Sequence, residues 1–217
     1  MTETEWLAGT DPTPMLVFLR DKASDRQLRL FAVTCCRQVW YMLATNECRH
    51  AVDLSERAAD DPSAMSELAC ACERVWNQGR DSQGFSHPDT MRQGAAIKAA
   101  AYATTSQMWH VDKVVECTRT LAARSGLSAI QCGFLRDIIG NPFHPVTIDP
   151  AFLKWNDNIV VKLAQTIYEE RAFDRLPILA DALEDAGCHD ADILAHCRQP
   201  GPHVRGCWVI DLLTGKE

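Results

Sequence analysis

The residues that could do chemistry are concentrated near the C-terminus, where histidines and cysteines alternate with residues that end helices. They lie between Asp185 and Trp208 and are Cys188, His189, His196, Cys197, His203 and Cys207. Imidazole nitrogen and thiolate sulfur are donors that zinc prefers in proteins. The segment therefore predicts either a zinc site or a structural corner between helices.

Helix geometry limits which of these residues can share an ion. Asp190 is predicted to begin a helix that ends near His196, and eight residues of helix separate two Cα atoms by roughly 12 Å. Cys188 is therefore not expected to bind the same ion as His196.

The feasible ligands are His196 or Cys197 together with His203 and Cys207. Pro202 fits the first turn of a final helix, in which His203 and Cys207 would lie one turn apart on one face. No Cys-x2-Cys pair accompanies them, so zinc is a possible cofactor and not a required one.

The alternative interpretation assigns the same residues to helix boundaries. Gly187 is predicted to end one helix in the left-handed conformation, Asp190 to cap the next, and Pro202 to start the last. His189 and His203 would then lie on the surface.

Known catalytic motifs are absent from the sequence. It contains no Gly-x-Ser-x-Gly elbow, no P-loop, no Gly-x-Gly-x-x-Gly after a strand and no His-Glu-x-x-His. We therefore expect a non-enzymatic protein, with a small metalloenzyme or zinc-binding protein as the alternative.

An interaction surface is the remaining candidate, because aromatic and arginine side chains dominate binding hot spots. The candidate residues are Phe143, His144, Trp155, Arg198, His203 and Arg205. The alternative for Phe143 and Trp155 is a place in the core, because large aromatic side chains are buried more often than not. They predict a protein-interaction or accessory module whose partner the sequence does not identify.

Composition further limits the classes of protein to which the chain could belong. The 217 residues include 22 basic and 29 acidic side chains, a net charge of -7, and no basic run, so nucleic acid is an unexpected partner. The start of the chain lacks a secretory signal, and no apolar run reaches the roughly 20 residues that span a bilayer. We expect a cytoplasmic protein with reduced cysteines. The cysteines expected to be buried in helical apolar patterns are Cys35, Cys36, Cys70, Cys72, Cys117 and Cys132.

Helical periodicity dominates the chain, and strand signals are almost missing. We predict an all-α, irregular bundle of about eight to ten helices. Residues 1–139 should form an N-terminal bundle, 140–155 a proline-rich extended strap, and 156–217 C-terminal helices packed on the bundle as one compact unit. Residues 79–89 are rich in Gly, Ser and Asp and are predicted to form a mobile loop.

Several segments resemble an uncharacterised paralogous family of planctomycete-type bacteria. They are Met1–Leu7, Thr10–Pro12, Phe18–Arg26, the strap Gly140–Phe143, Leu179–Glu184 and Gly201–Trp208. Members often have arginine at the position of His144, and the family has no established activity, so the resemblance implies a bacterial protein and no catalytic residue. Ala180–Glu184 with Gly187 also resembles the signature of a short repeat-companion domain, which implies an accessory role.

Overall fold

The computed structural model of the chain describes residues 1–43, 45–81, 88–105, 107–122 and 126–216, without the side chains of 79–81, 88–91, 108 and 109. These residues contain thirteen α-helices and no β-strand, which confirms the all-α class. The helices are α1 (Glu3–Ala8), α2 (Pro12–Leu19), α3 (Asp25–Gln38), α4 (Asn46–Ala58), α5 (Met65–Asp81), α6 (Pro88–Ala103), α7 (Met108–Ala122), α8 (Leu127–Ile139), α9 (Pro150–Lys154), α10 (Ile159–Glu170), α11 (Leu176–Asp185), α12 (Ala191–Arg198) and α13 (Trp208–Thr214). The number exceeds the predicted eight to ten because very short helices, such as α1 and α9, are included.

The chain divides into two compact units, Met1–Leu135 and Arg136–Glu217. The division falls inside α8, a few residues before the predicted boundary at 139. The packing of the C-terminal helices on the N-terminal bundle stays a prediction. No helix in the described ranges is both long and apolar enough to cross a lipid bilayer.

The first unit is built around α3 and the alanine-rich α6. Helix α3 begins where Ser24 and Gln27 cap each other's backbone, and its residues 28–36 are all buried. Helix α6 packs against α3, α4, α5 and α7, and its buried alanines permit this close approach. Cys35, Cys36 and Cys132 are buried as predicted. Cys70 is exposed and Cys72 and Cys117 are only half-buried, so the prediction is wrong for these three.

The predicted loop at 79–89 is wrong at both of its ends. Helix α5 continues to Asp81, and α6 begins at Pro88. Residues 82–87 lie outside the described residues.

The second unit has its own apolar core, formed by buried residues of α10, α11, α12 and α13. The strap lies within this unit and is extended or turned only from 140 to 149, so the prediction of a strap to 155 is wrong. Asp149 accepts a hydrogen bond from the Ala151 N–H at 2.8 Å and caps α9. Proline is compatible with the first helical turn, so Pro150 starts this helix instead of preventing it.

The corner between α11 and α12 has the boundaries that the residue types predict. Gly187 takes φ = +94°, its N–H donates to Glu184 O at 2.8 Å, and the Cys188 N–H donates to Leu183 O at 2.9 Å. These two bonds form a Schellman motif, which satisfies the last carbonyls of α11. Asp190 then caps α12 by accepting from two backbone N–H groups.

The predicted final helix from Pro202 is wrong. Residues 199–207 form a non-helical segment, and α13 begins only at Trp208. Gly206 takes φ = +89° in this segment, a conformation that interrupts a right-handed helix. His203 and Cys207 are therefore not related by a helical turn.

Candidate metal centre

Asp137 enters the site from the last turn of α8. It lies on the same face of that helix as Phe134 and Ile138, and all three side chains are buried. The carboxylate is therefore on an apolar stripe near the negative end of a helix, where an unpaired charge is unfavourable. Such a residue needs polar partners from elsewhere in the fold.

The partners come from the C-terminal corner. His196 is in the last turn of α12, His203 is in the non-helical segment that follows, and Cys207 immediately precedes α13. Cys207 occupies the N-cap position of α13, where its sulfur faces the backbone N–H groups of Val209 and Ile210. The same sulfur lies 3.2 Å from His196 Nε2.

The four side chains converge on one point. His203 Nδ1 is 2.6 Å from Asp137 Oδ1, and His196 Nε2 is 3.2 Å from that oxygen. His196 Nε2 is also 3.2 Å from Cys207 Sγ. The four potential ligand atoms all lie within 4.8 Å of one another, and each side chain is almost fully buried.

The Asp137 carboxylate and the His203 imidazole also contact backbone groups that are not among the four potential ligands. The Val204 N–H donates to Asp137 Oδ2 at 2.8 Å. His203 Nε2 lies 3.4 Å from the backbone oxygen of Gln199. These two contacts fix the ligand orientations in the way outer partners do at metal sites.

His196 is contacted on its other nitrogen. The indole N–H of Trp208 donates to His196 Nδ1 at 3.0 Å, and Gln199 Nε2 is 3.1 Å from the same atom. The Trp208 and His196 rings also meet edge to face, with centroids 5.1 Å apart. Gln199 thus contacts both histidines, His203 through its backbone and His196 through its side chain.

The electrostatics of the cluster favour charged Asp137 and His203. Burial opposes ionisation of Asp137, but hydrogen bonds from His196 and His203 outweigh it and lower its pKa below the ordinary value. Burial likewise disfavours protonated His203, but the bond to Asp137 leaves its pKa raised. Burial, followed by the nearby Asp137 charge, raises the pKa of the Cys207 thiol well above its ordinary value.

Nucleophilic catalysis by Cys207 does not fit this geometry. In a Cys-His-Asp triad the imidazole uses one nitrogen for the thiol and the other for the carboxylate. Here Cys207 and Asp137 both face Nε2 of His196. The thiol is also fully buried, and its raised pKa opposes formation of a thiolate.

Coordination of a metal ion fits better. Two imidazoles, a carboxylate and a thiol are the side chains that bind zinc, and tetrahedral zinc with bonds of about 2.0–2.3 Å separates neighbouring donors by roughly 3.3–3.8 Å. The contacts of 2.6 to 3.2 Å in the cluster would have to lengthen by roughly half an ångström to admit the ion. The widest donor pair, at up to 4.8 Å, would have to shorten by roughly 1 Å.

The structure brings together three of the four predicted ligands and adds one that sequence reasoning missed. His196, His203 and Cys207 converge with Asp137, whereas Cys197 lies in the apolar core and is not part of the cluster. Burial, together with the nearby Cys188, raises the pKa of Cys197 to about 12. An acidic residue on the apolar stripe of α8 was the available signal for Asp137.

Both arginines of the predicted binding surface already contact other side chains of the same chain. Arg198 donates to Asp181 at 2.7 Å and to Glu184 at 2.5 and 3.0 Å, which ties α12 to α11. Arg205 lies over the ring of Tyr168, 4.6 Å from its centroid. Both side chains therefore have intramolecular roles.

The other four residues of that surface do not share one exposure. His144 is exposed, Phe143 and Trp155 are half-buried, and Trp155 packs against the apolar core. His203 is directed inward to Asp137, so its assignment to the surface is wrong.

No family model, curated protein or solved structure matches this chain.

Proposed function

We propose that Asp137, His196, His203 and Cys207 bind one zinc ion, which cross-links the second unit of a non-enzymatic accessory module. The observation that carries the proposal is the convergence of four donor atoms within 4.8 Å in a buried position. A carboxylate with two histidine contacts could be a simple hydrogen-bonded corner. The buried thiol beside them adds the soft donor that zinc sites use, which a hydrogen-bonded corner does not require.

The donor set favours zinc over other ions. Calcium and magnesium bind oxygen ligands almost exclusively, so two nitrogens and a sulfur disfavour both. Imidazole and thiolate together suit zinc, and the tetrahedral geometry that four such ligands adopt is its usual one. On affinity alone copper would compete with zinc for this site, so the metal in the purified protein has to be identified by analysis.

The number of protein ligands favours a structural role. Catalytic zinc sites keep one position for water or substrate, whereas structural sites are closed by four protein ligands. Asp137, His196, His203 and Cys207 would fill all four positions. A closed site in a buried corner supports the accessory role expected from the sequence and gives no place for a substrate.

The location of the ligands explains what the ion would do. Asp137 is at the end of α8, and the other three ligands surround the segment that joins α12 to α13. That segment has no regular structure of its own. Bound zinc would hold it against the end of α8 and so order the C-terminal part of the chain.

Metal analysis of the purified protein tests the proposal. We expect one equivalent of zinc in the wild-type chain and less than about 0.1 equivalent in C207S and H203A, because each removes one of four ligands. C197S is the matched control, since it changes the neighbouring buried cysteine outside the cluster. It should keep the full equivalent.

Two results would contradict the proposal. The first is a folded wild-type protein that contains no metal and takes up none when zinc is supplied at micromolar concentration. The second is a C207S variant that retains zinc as well as C197S does. Either would leave a hydrogen-bonded corner as the explanation of the cluster.

A further inference from the structure

His196 contacts two side chains that make different demands on its Nδ1 atom. Trp208 approaches with its indole N–H at 3.0 Å, and Gln199 approaches with its amide at 3.1 Å. An indole nitrogen can only donate, whereas an amide can donate through its NH2 or accept through its oxygen. The two neighbours therefore respond differently to the position of the imidazole proton.

The bond from Trp208 places that proton on the ligand side of the ring. Since Nδ1 accepts from the indole, it carries no hydrogen, and in the neutral ring the proton lies on Nε2. Nε2 is the atom that faces Asp137 Oδ1 and Cys207 Sγ. A protonated nitrogen has no lone pair for a metal, so this tautomer cannot bind zinc through Nε2.

Zinc on Nε2 requires the opposite tautomer. The ring then carries its proton on Nδ1 and needs an acceptor there, as histidine ligands almost always have. Gln199 can supply the acceptor by a half-turn of its amide, which exchanges NH2 for oxygen. Trp208 cannot, and its N–H would point at another N–H.

We infer that Trp208 and Gln199 regulate the affinity of this site by setting which nitrogen of His196 carries the proton. Trp208 favours the metal-free tautomer and weakens zinc binding, and Gln199 supports the metal-bound tautomer and strengthens it. The inference rests on the zinc site proposed above. It makes Gln199 a positioning residue and Trp208 a competitor of the metal, although neither is a ligand.

The surroundings of both residues allow clean substitutions. The Trp208 ring packs on Gly140, where a Cβ built on the glycine would be 3.2 Å from the ring, and a phenylalanine keeps most of that contact without the N–H. Gln199 contacts His203 through its backbone oxygen, which Gln199→Ala retains. Each variant therefore removes one side-chain hydrogen bond to His196.

The test is zinc affinity at fixed pH, measured by competition with a chelator for zinc chloride. W208F should bind zinc about fivefold more tightly, because zinc no longer displaces a hydrogen bond worth about 1 kcal/mol. Q199A should bind at least about tenfold more weakly, in the range found for lost outer partners of metal-binding histidines. The controls are W155F, half-buried outside the cluster, and Q165A, exposed on α10; both should match the wild type.

Opposite changes in the two variants separate this regulation from a loss of packing, which would weaken zinc binding in both. A folded W208F that binds zinc no more tightly than wild type would overturn the inference, as would Q199A with unchanged affinity. If circular dichroism shows that W208F is unfolded, long-range 1H–15N spectra of the wild type test the inference instead, because they show which nitrogen of His196 carries the proton. The proton on His196 should be on Nε2 without zinc and on Nδ1 with it, and the same tautomer in both states refutes the inference. A wild type without zinc affinity would refute the proposed function itself, whereas stoichiometric zinc with unchanged variants would refute only the regulation.

Discussion

Asp137 shows how a single residue can depend on distant partners. Its carboxylate lies near the negative end of a helix and is buried, two conditions that each disfavour its charge. Three N–H groups compensate, from the rings of His196 and His203 and from the backbone of Val204. Because these donors outweigh burial, the lowered pKa of Asp137 and the raised pKa of His203 describe one buried ion pair.

At the residue scale we predict that D137N destabilises the protein even without metal. The variant keeps the size of the side chain but removes the anion that His203 contacts, and a hydrogen bond to a charged group contributes about 1.5–3 kcal/mol to the free energy of unfolding. Urea unfolding in the presence of a chelator measures the loss. D181N is the matched control, because it breaks the exposed pair with Arg198 and should cost less than about 1 kcal/mol. Equal losses in the two variants would mean that the buried pair does not stabilise the corner.

At the scale of the helices, Gly133 and Gly140 of α8 differ in whether the structure has room for a side chain. Gly133 is inside α8 with a helical backbone and open space at its Cβ position. Gly140 ends the same helix with φ = +73°, and its missing Cβ makes room for the Trp208 ring. The first position tolerates a side chain and the second does not.

We therefore expect G133A and G140A to change stability in opposite directions. G133A should stabilise by about 0.5–1 kcal/mol, because alanine is the better helix former. G140A should destabilise by at least about 1 kcal/mol, because alanine disfavours positive φ and the added methyl group presses on Trp208. Urea unfolding midpoints compare the pair directly. Stabilisation by G140A would show that Trp208 can move away freely.

Local signals were sufficient for helix boundaries that depend on neighbouring residues. The cap at Asp190 and the left-handed Gly187 follow from residue type, because both bond to backbone within a few positions. The final helix was misplaced because the segment before it is held by Asp137, 67 positions from Val204 in the chain. Neither periodicity nor capping rules register such a contact. The acidic residue on the apolar stripe of α8 therefore marks Asp137 as unusual but does not indicate which distant side chains it meets.

At the scale of the whole molecule, all four proposed ligands belong to one compact unit. The second unit, Arg136–Glu217, has about 80 residues and its own apolar core. Domains near this size gain little stability from their core alone and often use a metal or disulfides. A zinc cross-link would serve that purpose here, since the second unit contains only free cysteines among its described residues.

Zinc should consequently stabilise the second unit selectively. A ligand that binds only the folded state adds about 2.7 kcal/mol at one hundred times its Kd. Hydrogen exchange measured by mass spectrometry can locate this gain in the intact chain, with zinc and after chelation. We expect slower exchange in peptides from 136–216, most of all around 193–213, where three of the four ligands and their supporting segment lie. Peptides from 1–122 should exchange at the same rate in both states, because no proposed ligand lies in them. Equal slowing throughout the chain would contradict a cross-link confined to the second unit, and no slowing anywhere would contradict the zinc site.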